Sequence, residues 1–287
     1  MSLVWVIVGL VAMAAVLVDM FQTLLYPSGD GWLSAPFMRL IWRASKRLGH
    51  PLGSATGPLA MVSSIALWVV LMVTAGALIY VPYVPDGFLY SPGIDPSRYP
   101  DFAEALYLSL VSIATLGFGD VVGTGPWLRF APPLEALAGF ALLTAALTWF
   151  SQIEGPLVRR RALAMELRTL AETDAAGHLV DWHPSAAHAT LSGLARSILE
   201  VRTDFAHHTE QFYFQETEPN MALSLQLDQA LALRDAALAA QDVSVRDGGQ
   251  QLRVALEEFA HLLASEFVDT DGAVASTLDA YRTEHSR

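Results

Sequence analysis

The sequence predicts an all-α membrane protein: three transmembrane helices, a short re-entrant helix with an irregular loop between the second and third, and an α-helical cytosolic domain. Three observations carry this reading. The chain of 287 residues is 53% hydrophobic and only 16% charged, with a mean hydropathy of +0.38. That is too apolar for a soluble domain of this size. The apolar residues gather into three long runs before residue 154. The charge gathers after it, where 11 of the 17 Lys+Arg and 21 of the 29 Asp+Glu lie, so that this part carries −10 of the net −12. An acidic surface excludes nucleic acid, whose phosphates need basic partners. With no cysteine, disulfides and cysteine-ligated metal centres are excluded as well.

Leu3 to Tyr26 has Asp19 as its only charge and, at about 24 residues, covers a hydrocarbon core of roughly 30 Å. A cleaved signal peptide is the competing reading. It fits poorly, because no Lys or Arg precedes the run and the run is longer than a signal's apolar core. Pro58 to Val84 and Pro126 to Ile153 have the same character. The chain therefore divides into residues 1–27, an N-terminal span; 28–57, a cytoplasmic segment; 58–153, the second and third spans with the connection between them; and 154–287, an acidic helical domain.

Loop charge sets direction. Arg39, Arg43, Lys46 and Arg47 lie between the first two spans, and Arg159 to Arg161 follow the third. Both belong in the cytoplasm by the positive-inside rule. The connection from Val84 to Gly125 is acidic apart from Arg98, so it and the N-terminus face outward, with the C-terminus cytoplasmic. In the first cytoplasmic segment, Trp32, Phe37, Leu40 and Ile41 alternate with the basic residues. This predicts an amphipathic helix lying on the membrane lipids of the inner leaflet, with a solvated basic loop as the alternative.

The outer connection contains "DFAEALYLSLVSIA", with Phe102, Leu106, Leu110 and Ile113 at helical spacing and Asp101 and Glu104 placed as a capping box. About three turns long, it must enter the membrane and return. Its C-terminal end carries the negative pole of the helix dipole, which favours a cation. "TLGFGD" follows, at 115–120. Gly117 and Gly119 free the backbone to turn successive carbonyls toward one axis, and a row of carbonyls above the Thr115 hydroxyl can replace the water shell of a dehydrated cation.

Span, short helix, T-x-G-F-G-D and span together resemble the potassium-channel pore-loop family over roughly Pro58 to Ile153. The resemblance implies a selectivity filter of Thr115, Leu116, Gly117, Phe118 and Gly119, with Asp120 as its outer carboxylate and K+ held at Thr115 to Phe118. It also implies a flexible Gly139 in the inner helix, with Leu143 and Leu147 lining the cavity. No internal repeat is present, so one pore loop per chain implies a homotetramer. Ala114 stands where many members have a second hydroxyl. Val111, Tyr107 and Leu108 replace the usual acidic and tryptophan braces, so a weakly braced filter is expected. An extra span precedes the minimal two-span unit.

Two carboxylates lie within the spans. Asp19 matches Ser63 and Ser64 in depth and reads either as a structural hydrogen-bond partner of these or of a neighbouring helix, or as a gating or proton-sensing group. Glu135 reads either as a substitute brace behind the filter, through Ser109 or Ser112, or as a carboxylate facing a water-filled crevice. Beyond Gly155, helices are expected over Leu157–Thr173, Pro184–Glu216, Pro219–Asp242, Gly249–Val268 and Ala273–His285, with Leu256, Phe259, Leu263 and Phe267 on one face. Seven of the 8 histidines lie here. A cluster could bind metal or sense pH, but His207, His208 and Glu210 lack a second matched pair, so the histidines read as ordinary surface residues. No nucleotide-binding turn, organic cofactor motif or catalytic signature appears. The expectation is a non-enzymatic, cation-conducting channel whose cytosolic ligand or protein partner is unspecified. The competing reading is a membrane-anchored scaffold or regulator whose pore-like domain does not conduct.

Overall fold

A computed structural model describes residues 2–25 and 31–285. The end of the first predicted span, Tyr26, and the domain boundary at residue 27 lie outside the described residues. The chain forms two compact units, one of residues 1–37 and 61–151, the other of residues 38–60 and 152–287.

The first unit contains α1 (Ser2–Leu25), most of α3 (Thr56–Tyr80), α4 (Asp101–Ile113), and α5 (Pro126–Glu172) as far as Ser151. Among the described residues, three helices are long and apolar enough to cross a membrane, over Leu3–Leu24, Gly53–Tyr83 and Pro126–Glu172. Leu3, Val4, Ile7 and Val11 remain exposed on α1, as residues facing hydrocarbon would. Elsewhere α1 lies tight against α3, because a Cβ on Gly9 would come within 2.6 Å of the Ala75 carbonyl. At 13 residues, α4 reaches about 20 Å and cannot span a bilayer.

Two short strands escaped the sequence reading. β1 (Phe88–Tyr90) pairs antiparallel with β2 (Val121–Gly123), with Leu89 opposite Val122. The ladder is extended by Ser91 N–H donating to the Asp120 carbonyl at 2.8 Å and Thr124 N–H to Gly87 at 3.0 Å. Three-residue strands leave no periodicity to detect. The expected capping box also fails to form: Pro100 is the N-cap and no side chain caps α4. The Pro100 carbonyl instead accepts from Ala103 and Glu104 N–H, leaving Asp101 and Glu104 to act on the dipole alone.

The second unit holds α6 (Pro184–His207), α7 (Leu223–Ala239), α8 (Val243–Glu266) and α9 (Val274–His285), with the C-terminal part of α5 and most of α2 (Ser34–Arg47). α6 packs most extensively on α8. Between them, Leu191, Leu194, Ile198, Phe205, Leu252 and Phe259 are buried, each such side chain contributing roughly 1.5–3 kcal/mol. The predicted face of α8 is observed, with Leu256, Phe259 and Leu263 buried and Phe267 half-buried.

Several boundaries differ from expectation, and α7 is shorter than the expected Pro219–Asp242 at both ends, with Pro219–Met221 forming a 3-10 turn before it. α6 stops at His207, and Thr209–Tyr213 forms a 3-10 segment. α8 begins at Val243, where Asp242 accepts from Ser244 N–H at 2.8 Å, so Gly248 and Gly249 lie inside a helix and do not start one. A Cβ on Gly248 would stand 3.0 Å from Leu191, and one on Gly249 2.8 Å from Ala237. These glycines admit neighbouring helices.

The predicted amphipathic helix forms as α2, but its buried face is protein-packed. Trp42 lies against Phe212, Tyr213 and His285, with ring centroids 5.6, 5.7 and 5.3 Å away, and its Nε1–H donates to Glu284 at 3.2 Å. Lys46 pairs with the same Glu284. Leu40 on the opposite side is exposed.

Candidate functional site

The helical run of α4 ends in a Schellman motif. Ala114 is the C-cap, Thr115 N–H donates to the Ser112 carbonyl at 2.9 Å, and Leu116 N–H donates to Val111 at 3.0 Å. The motif needs a left-handed residue, usually glycine, at the position after the cap. Here it is Thr115, with φ of 55°. Gly117 and Gly119 are left-handed too, at 55° and 71°, while Leu116 and Phe118 between them are not. Residues of opposite hand in alternation turn successive peptide planes the same way, so that their carbonyls line one side of the strand. No atom lies within 4 Å of a Cβ built on Gly117 or Gly119. Backbone conformation, not space, is what requires glycine there.

Residues 114–119 are exposed, as are Leu143 and Leu147 on α5. Gly139 is buried in an unbroken stretch of α5, and a Cβ there would collide with the Ile113 carbonyl at the end of α4. The glycine is therefore a point of close helix approach. A cavity of about 450 Å³ flanks the loop, lined by Tyr107, Val111, Thr115, Phe118, Arg129 and Pro133 among others.

One brace holds this loop directly and a second holds α4 behind it. Tyr107 donates to the Asp120 carboxylate at 2.5 Å, tying the far end of the loop to α4. Sequence reasoning counted Tyr107 as a lost brace because it replaces another aromatic, but its hydroxyl supplies the donor. The second brace is Glu135 of α5, buried, which accepts from Tyr80 Oη at 2.7 Å and from Ser109 Oγ. A Cβ on Gly76 would collide with both the Glu135 carboxylate and the Ser109 hydroxyl, so α3 contributes to the same enclosure. Ser112, the alternative partner, donates to the Leu108 carbonyl at 2.8 Å. The inward face of α4 is thus its serine face, while Phe102 and Leu110 of the expected apolar stripe are exposed.

Asp19 is fully buried and accepts from Leu33 N–H and Trp68 Nε1–H, each at 2.7 Å. Trp68 also packs on Trp149 of α5, with ring centroids 5.7 Å apart. Neither tryptophan was singled out from sequence, since an aromatic in an apolar span carries no local signal of its polar edge. In the second unit, His208 lies 3.6 Å from Glu210, which raises its pKa. Among the described residues, no group of three or more His, Cys, Asp or Glu could hold a metal ion.

A long apolar helix, a short helix with a left-handed glycine loop at its end, and a second long helix define a pore-loop membrane protein. Residues 67–153 match the family model described as Ion channel. It is 22% identical over 170 residues to the uncharacterized membrane protein YdjJ of Bacillus subtilis (strain 168), a match covering 58% of this chain and 49% of that one. It is 30% identical over 109 residues to potassium channel subfamily K member 16 of Homo sapiens, covering 37% of this chain and 33% of that one. The chain thus spans about half and a third of these relatives. No solved structure matches significantly.

Proposed function

We propose that the protein is a homotetrameric cation channel that selects K+ and passes it down its gradient. Thr115 to Gly119 would form the filter and Asp120 its outer anchor. The observation that carries this reading is the alternation of left-handed backbone at Thr115, Gly117 and Gly119. A β-branched residue in that region is a strained outlier, and such strain gathers where function needs the geometry. Four copies of the carbonyl row around one axis would replace the hydration shell of a K+ ion. The exposure of the loop and of Leu143 and Leu147 in a single chain supports assembly, because polar backbone at membrane depth requires protein or a water path around it. The acidic C-terminal module lies in the cytoplasm in this reading and biases opening.

The test is ion flux from purified protein in liposomes, comparing K+ with Na+ and using barium as blocker. Gly117→Ala places a side chain at a φ of 55° and is expected to abolish K+ flux while the tetramer persists. Undiminished flux in that variant would remove the filter assignment. A wild type that assembles as four chains yet passes neither ion would favour the scaffold reading.

A further inference from the structure

In the second unit, α5 packs Leu157, Arg160, Leu163, Ala164 and Leu167 inward, all buried. Along its opposite side runs a file of exposed positions, Gly155, Val158, Ala162, Met165, Thr169 and Glu172, flanked by the exposed Glu154, Arg159 and Glu166. Their spacing alternates three and four, an average of 3.5, which is the repeat of a seam between supercoiled helices. The same spacing begins earlier in the helix, at the exposed Phe130, Leu134 and Leu137. Gly155 and Ala162 are small enough to let backbones close up, and Val158 and Met165, 55% and 51% exposed, are large apolar groups with nothing over them in one chain.

The flanks of this file decide what covers it. Glu154 and Arg161 stand just before seam positions; Arg159 and Glu166 stand just after them. When two such helices run parallel and in register, each residue of the first kind faces the residue five further along in its neighbour. Glu154 then meets Arg159 of the next copy, and Arg161 meets Glu166. Both pairs are of opposite charge. Within its own chain Arg159 bonds Asp204 and Arg161 bonds Glu216, yet their side chains remain 47% and 43% exposed. A guanidinium has donors left for a second carboxylate.

We infer that residues 155–172 form a parallel, in-register coiled coil with the same segment of other copies of this chain. The number of copies rests on the tetrameric reading proposed above, whereas the parallel register rests on the seam and its charges. The protein has no native cysteine, so single substitutions report cleanly. Val158→Cys and Met165→Cys, made separately in the full chain in liposomes, are exposed changes. Each can join to itself in a second copy only where identical residues face each other across a parallel axis. Ala171→Cys, exposed on the same helix but off the file, is the control.

On mild oxidation or treatment with a short bis-maleimide, Val158→Cys and Met165→Cys are expected to give covalent dimers as the main product, with Ala171→Cys at least tenfold less. Equal linking at all three sites would mean collision and overturn the proposal. No linking at Val158 or Met165 in protein whose native mass is that of four chains would overturn the coil and leave the pore reading standing. A native mass of one chain would overturn both.

Discussion

Thr115 is the most strained residue of the loop, and its neighbours explain how the strain is held. A β-branched residue at a φ of 55° costs on the order of 1–3 kcal/mol. It is fixed from below by the two Schellman bonds to Val111 and Ser112, and the far end of the loop is fixed by Tyr107 on Asp120. Glu135 stands one layer behind, joining α5 to Tyr80 and Ser109. Its two hydroxyl partners can each donate or accept, so an amide serves almost as well as a carboxylate. Glu135→Gln is therefore expected to keep K+ flux and thermal stability near wild type. Glu135→Leu strands two buried hydroxyls at about 1–3 kcal/mol each, and should lower the melting temperature and cut flux together. A leucine variant with normal flux would show that the brace does not act on the filter.

At the scale of elements, what was legible in the sequence was whatever has a local cause. The three long helices follow from unbroken apolar runs, and the left-handed loop follows from glycines at 117 and 119, where φ alone selects the residue. Features with a non-local cause were not legible. Gly249 read as a helix start, yet it and Gly248 are mid-helix, where Ala237 and Leu191 come close. The amphipathic helix read as lying on lipid, yet its Trp42 packs on Phe212, Tyr213 and His285, which lie far along the chain. Asp19 read as bonded to Ser63, Ser64 or a neighbouring helix, and it is the indole N–H of Trp68, on the neighbouring α3, that donates to it.

The same aromatic cluster sets a pH dependence for α9. His285 lies 4.9 Å from Phe212 and 4.6 Å from Tyr281 between ring centroids, and Nε2 is 2.8 Å from the Phe212 carbonyl. Burial there, aided by Arg160, drives its pKa from 6.5 down to about 4. Between those values the unfolded segment binds a proton that the folded one does not, so stability rises with pH across this window. One proton changes the opening equilibrium by at most about tenfold per pH unit. Hydrogen exchange of Val274–His285 in the full chain should therefore lose protection from pH 7 to pH 5, after correction for intrinsic rates. His285→Gln should flatten that trend. An unchanged slope in the variant would place the titration elsewhere.

For the molecule as a whole, the decisive joint lies within the second unit, where α5 is gripped by the segment after α6. Arg160, only 2% exposed, donates to the carbonyls of Gln211 at 2.7 Å and Phe214 at 2.9 Å and to Glu216 at 2.9 Å. Arg161 donates to both oxygens of Glu216 at 3.0 Å. One buried carboxylate thus ties two consecutive arginines of the helix that also carries Leu143 and Leu147. Removing one partner of a buried pair costs about 3–5 kcal/mol, so Glu216→Ala should loosen this grip while the carbonyl bonds keep Arg160 in place. If the module biases opening through α5, single-channel recording of Glu216→Ala should show an open probability changed several-fold. The K+ to Na+ permeability ratio should stay at the wild-type value, because in the proposed channel the filter alone sets it. Should the ratio shift while open probability stays fixed, the grip would be acting on the filter, and the division of labour between the two units would be wrong.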